Sequence, residues 1–97
     1  MAAREGLNTF PVEIVTPEKP IYKGNATMVI LRTVTGDVAV LPGHIDYAAP
    51  LGTGKLALTD EKGKHCGSCS GGVVTVLRGK VTVVTEAFSW ENHKNSK

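Results

Sequence analysis

Val73-Val74-Thr75-Val76-Leu77-Arg78-Gly79-Lys80-Val81-Thr82-Val83-Val84-Thr85 decides the fold. Residues 73–77 and 81–85 are two runs rich in β-branched side chains, which suit a pleated sheet and crowd a helix. Arg78-Gly79-Lys80 between them is the clearest hairpin connection in the chain. Working upstream, Gly71-Gly72 is a bend. Residues 64–70 form a partner strand weakened by Gly67, Ser68 and Ser70, and Asp60-Glu61-Lys62-Gly63 is a second hairpin connection. Leu56 and Leu58 alternate with Lys55, Ala57 and Thr59, the period of a half-buried strand. Residues 45–54, with Pro50, Gly52 and Gly54, read as an irregular connection. Val38 and Val40 share a face after a tight turn at Thr35-Gly36-Asp37, and Thr27 to Val34 is the longest apolar-rich strand. Ile21-Tyr22 begins a short strand that stops at Lys23-Gly24-Asn25. Phe10, Val12 and Ile14 alternate with Pro11 and Glu13, and Pro11 argues against a central place for that strand. Downstream of the hairpin, Phe88 to Lys97 is a polar tail with one Trp and reads as poorly ordered, like residues 1–9.

Composition agrees with this pattern. Twelve Val, ten Thr and four Ile stand among 97 residues, and helix-favouring stretches are nearly absent. The expectation is an all-β domain over residues 10–87, two sheets packed face to face. Apolar residues at 41% and a net charge of +2 describe a folded domain rather than a disordered one. The mild positive charge has no clustered basic stripe and does not announce nucleic acid. The longest apolar run, Met28 to Leu31, is far short of the roughly 20 residues that span a bilayer. The N-terminus has no apolar stretch of signal-peptide type, so the cytoplasm is the default expectation.

Candidate chemistry is thin. Gly52-Thr53-Gly54-Lys55 hints at a phosphate loop, but Ala49 and Leu56 stand where that motif needs Gly and Ser or Thr, and a strand follows instead of a helix. Gly67-Ser68-Cys69-Ser70-Gly71 has the outline of a nucleophile elbow, without the helix that exposes a nucleophile. Cys66-Gly67-Ser68-Cys69 is a C-x-x-C, with His65 and His93 as further metal-type ligands. One pair is half of a structural zinc site. An offset of three along a strand also puts the two sulfurs on opposite faces. A small metal or redox module built on His65, Cys66 and Cys69 is the alternative reading. His44 and Asp46 lie at a strand end with no nucleophile identified by spacing. Asn25-Ala26-Thr27 fits a glycosylation acceptor and carries no meaning without secretion.

Three blocks do carry a resemblance. Val12-Glu13-Ile14-Val15-Thr16-Pro17-Glu18 with Tyr22-Lys23-Gly24, then Gly36-Asp37-Val38-Ala39-Val40-Leu41-Pro42-Gly43-His44, then Ser70-Gly71-Gly72-Val73 running on to Thr85, resemble the epsilon subunit of bacterial F-type ATP synthases (the delta subunit of mitochondria). They are in order and span residues 10–87. The resemblance implies a flattened sandwich of about ten short antiparallel strands. It implies a rotor subunit beside gamma and on the c-ring, at the cytoplasmic face of the membrane. Such a subunit couples ring rotation to ATP synthesis, with no catalytic site, cofactor, metal or small-molecule substrate of its own. Carried over by motif, Asp37, Pro42, Gly43 and His44 lie at the c-ring and gamma interface. Family members continue into a C-terminal helical hairpin that can block hydrolysis, and no such segment is expected here. Ile45 to Ala49 departs from the usual apolar continuation after the His. The cysteines stand in a strand that is usually apolar and aromatic.

Overall fold

The structure, a computed structural model, describes residues 9–43 and 45–91. These residues form nine strands: β1 (Phe10–Val15), β2 (Pro20–Ala26), β3 (Met28–Thr33), β4 (Gly36–Val40), β5 (Tyr47–Asp60), β6 (Gly63–Ser70), β7 (Val73–Leu77), β8 (Lys80–Val84) and β9 (Phe88–Trp90). Two sheets share β5. The first runs β2-β1-β8-β7 and ends on residues 47–50 of β5. The second runs β4-β3-β5-β6-β9. The alternating apolar faces meet between them. Val12, Ile14, Val74, Val76, Val81 and Val83 come from the first sheet, and Val29, Leu31, Leu56 and Leu58 from the second, all essentially inaccessible to water. Each such side chain contributes about 1.5–3 kcal/mol on burial.

The β7–β8 hairpin lies where the sequence puts it, with Val73↔Val84 and Leu77↔Lys80 closing its ends. Elsewhere the strands differ from expectation. The segment at 45–54 is irregular only as far as Asp46. Tyr47 to Asp60 is one strand that changes sheets between Pro50, paired with Val73, and Leu51, paired with Thr33. Pro50 and the small residues after it make that corner possible, as in sandwiches whose strands switch sheets at bends. β1 is central in its sheet despite Pro11. Pairing with β8 begins only at Val12, so the missing N–H falls where there is one neighbouring strand. The β1–β8 pair is parallel, the one departure from an antiparallel sandwich among the described strands. β2 runs on through Lys23-Gly24-Asn25 to Ala26, paired along β1. Phe88–Trp90, read as the start of a loose tail, is a strand on β6. Residues 1–8 and 92–97, expected to be poorly ordered, lie outside the described residues.

Candidate functional site

The β3–β4 hairpin turns at Val34-Thr35, slightly earlier than the sequence suggests. Thr33 explains the shift. The residue is 2% exposed, and its hydroxyl accepts from the Thr35 amide at 3.2 Å and donates to the Gly36 carbonyl at 2.8 Å, a side-chain turn that fixes the chain reversal. The register then sets Arg32 opposite Asp37. The Arg32 Nε–H donates to Asp37 Oδ1 at 2.6 Å, with the two side chains 53% and 60% exposed. This bond and the carboxylate charge raise the Arg32 pKa above its ordinary value, a little against the effect of burial. Asp37 thus already has a cation within its own chain.

Pro42 and Gly43 form a turn beyond the far end of β4. Asp37 and this turn are therefore separated by about 15 Å of strand, and the structure does not bring them together. His44 lies outside the described residues. The loop after it is tied to the β7–β8 turn, where the Arg78 amide donates to Asp46 Oδ1 at 2.8 Å. There Ile45 and Leu77 are exposed by 77% and 55%.

From that loop the outer face of the first sheet extends over β5, β7 and β8. Its outward residues include Ala48, Pro50, Val73, Thr75, Thr82 and Val84, in lateral pairs such as Thr75↔Thr82 and Ala48↔Thr75. Lys80 is the one charged side chain these three strands direct outward in the first sheet, and it pairs with Glu13 of β1 at 3.4 Å. Alternation alone marks the outward positions of residues 73–84, and their joining with Ala48 and Pro50 follows from the strand order.

Both cysteines lie on β6, on opposite faces as the spacing requires. Cys69 is buried in the core, and burial pushes its thiol up to about 11 against a smaller effect of Thr85. Cys66 is half-buried on the outer face. His65 donates its Nε2–H to Asp60 Oδ1, 3.1 Å away, instead of joining the sulfurs. Among the described residues no three His, Cys, Asp or Glu come together as metal ligands, so the metal or redox module gains no support. A disulfide reagent should modify Cys66 within minutes and leave Cys69 unreacted until the domain is unfolded. Equal rates in a Cys66→Ser and a Cys69→Ser variant would contradict this burial.

The sequence reading missed the cluster around Asp60. This carboxylate is 11% exposed and accepts from the Lys62 amide, His65 and the Tyr22 hydroxyl at 2.8, 3.1 and 3.0 Å. Burial is the strongest single influence and raises its pKa, but the hydrogen bonds together outweigh it and hold the value below the ordinary one. Burial, then the bond to Asp60, push Tyr22 up to about 12. Trp90 packs edge-on against Tyr22, His65 and Phe88. The cluster fastens β9 to the sandwich.

Fold and surfaces together define a β-sandwich module whose distinctive features are a charge-poor sheet face and a charged hairpin end. The chain belongs to the family described as ATP synthase, Delta/Epsilon chain, beta-sandwich domain, which matches residues 9–91. ATP synthase epsilon chains of Bacillus thuringiensis (strain Al Hakam) and Bacillus anthracis (strain CDC 684 / NRRL 3495) are each 37% identical over 87 residues, covering 90% of this chain. The chain spans 65% of the length of those relatives. Among solved structures, a chain of the Euglena gracilis mitochondrial ATP synthase (OSCP/F1/c-ring) superposes with a TM-score of 0.80 at 23% identity, over 91% of this chain and 59% of that one. A chain of the Tetrahymena thermophila mitochondrial ATP synthase (central stalk/c-ring) gives 0.66 at 17% identity, over 80% and 63%. These likenesses support the shared fold.

Proposed function

We propose that this chain is a central-stalk subunit of an F-type ATP synthase, joining the gamma subunit to the c-ring so that ion-driven rotation of the ring is passed to the shaft. It acts without a catalytic site, metal or cofactor of its own, as a peripheral part of the complex on the cytoplasmic face of the membrane. Among the described residues no helix is long and apolar enough to cross a bilayer, and attachment is through protein partners. The sandwich from β1 to β9, residues 10–90, is the docking module.

The observation that carries this reading is the charge-poor outer face of the first sheet over β5, β7 and β8, whose one outward charge, Lys80, is paired with Glu13 at its border. Interface cores are depleted of charge, and a rigid, close-packed sandwich transmits torque with little deformation. That face, with the Pro42-Gly43 turn, takes gamma, and His44 is assigned to the same partner by family resemblance alone. Asp37, at the far end of β4, takes the ring.

Purified gamma should co-migrate with the chain as a one-to-one complex. Thr75→Glu, which puts a charge at the centre of the face, should weaken that complex at least about tenfold. Ser68→Glu, on the outer face of the second sheet, should leave it unchanged. Circular dichroism should be the same for all three. Failure of the two folded, unmodified proteins to associate would overturn the reading.

A further inference from the structure

We propose that Arg32 is the positioning residue for Asp37, and that the two side chains meet the ring as one neutral donor–acceptor pair. This rests on the reading of the hairpin end as the ring-facing one.

The pair is built, not incidental. Arg32 and Asp37 are register partners across β3 and β4, one residue beyond the buried Thr33 turn on either side. The stem of Arg32 lies along β5 where two glycines make room for it. A Cβ at Gly54 would stand 3.1 Å from Cβ and Cγ of Arg32, tighter than ordinary contact, and one at Gly52 would stand 3.6 Å from Cγ. The Gly52-Thr53-Gly54 stretch, which has the outline of a phosphate loop, is thus a bed for an arginine stem. The base of the stem rests on this stretch, and the half-exposed side chain extends from it to Asp37. It uses Nε–H on Oδ1, so its other N–H groups and Oδ2 remain as adjacent donors and acceptor. Beside them lies a groove of about 450 Å³ floored by Ile30, Gly54 and Ala57, with the pair as one wall and Lys55 on its border.

The chemistry that fits is a loop offering an acceptor and a donor side by side, from side-chain amides, backbone or an ion pair of its own. A lone Lys or Arg on the partner fits poorly, because it would meet the charge of Arg32 along with that of Asp37. Arg32 therefore sets specificity as well as position.

The test is binding of the chain, in complex with gamma, to the detergent-solubilised c-ring. Arg32→Ala and Asp37→Ala should each weaken binding about fivefold, and the double variant should fall no further than either single one. Gly54→Ala removes no charge and should still weaken binding by displacing the stem. Arg32→Lys, which keeps the charge without the planar fork, should recover part of the loss. Affinity of the unmodified chain should change less than about threefold between 50 and 300 mM salt, because a neutral pair is docked. Binding that is unchanged or tighter in Arg32→Ala, while Asp37→Ala weakens it, would overturn the proposal and leave Asp37 as a lone anion facing a cation. If the unmodified chain with gamma bound fails to hold the ring, the ring-facing reading itself is overturned, which the variants alone cannot mimic.

Discussion

Gly72→Ala is expected to destabilise the domain by about 3 kcal/mol or more and to lower the unfolding midpoint by roughly 12–24 °C. Gly72 has φ +112°, a backbone conformation L side chains rarely adopt. An added Cβ would lie 1.9 Å from the Val84 carbonyl oxygen and 2.7 Å from the Thr85 Cα, both backbone atoms that no rotamer change can clear. The chain cannot simply move away. The Gly72 carbonyl accepts from the Leu51 amide at 2.8 Å, at the corner where β5 changes sheets. The buried Thr85 hydroxyl lies 2.7 Å from the Gly71 carbonyl and 3.3 Å from the Ser70 amide. Displacing Gly72 therefore disturbs β5, β6, β7 and the end of β8 together. Gly63→Ala is the comparison, since φ there is +123° but an added Cβ meets nothing within 4 Å. It should cost about 1 kcal/mol, the strain alone. Thermal unfolding followed by circular dichroism separates the two. A loss at Gly72 no larger than at Gly63 would mean that the crowding at Val84 is readily relieved.

The two glycines show where sequence reasoning stops. Alternation marks β1, β3, β7 and β8, because each buries one face and exposes the other, and that period is written in consecutive residues. Gly71-Gly72 is visible as a bend for the same reason. What the bend presses against is Val84, on a strand two elements away, and no local pattern records that contact. The parallel pairing of β1 with β8 is hidden likewise, since pairing across about 70 residues of chain leaves no trace in either strand alone. β5 was obscured by Pro50, Gly52 and Gly54, residues that break strands in isolation. Here Pro50 turns the sheet corner and the glycines give way to Arg32. Of the site, Asp37 and the Pro42-Gly43 turn came through resemblance to a family. The Arg32 partnership needed the register of the hairpin, and that depends on a Thr33 hydroxyl whose burial is a tertiary fact. The outward positions of β7 and β8 on the first sheet were legible residue by residue. That they form one surface with β5 follows only from the strand order.

Gly67→Val is expected to destabilise the domain by about 2 kcal/mol or more, and to move Trp90 emission to longer wavelength as β9 leaves the sheet. In the sequence Gly67 only weakens a strand. In the fold it faces inward, and the ring of Phe88 occupies the space a side chain would fill, with an added Cβ 2.5 Å from Phe88 Cζ and 2.9 Å from the Ser89 carbonyl oxygen. An aromatic laid over a strand glycine restores apolar contact that the glycine lacks. It also closes the β6 edge, which would otherwise present unpaired backbone groups. Phe88 in turn holds Trp90 at 4.7 Å between ring centres, and Trp90 leans on Tyr22 and His65, both fixed by Asp60. A branched side chain at 67 expels the first ring and so unfastens the last described strand. Phe88→Ala in the Gly67→Val background removes the ring contact and leaves the one with Ser89, so it should recover stability in part and leave β9 undocked. Full recovery would show that Phe88 alone opposes the new side chain. No recovery would place the cost in the β6–β9 backbone pairing, with the aromatic contact adding nothing to it.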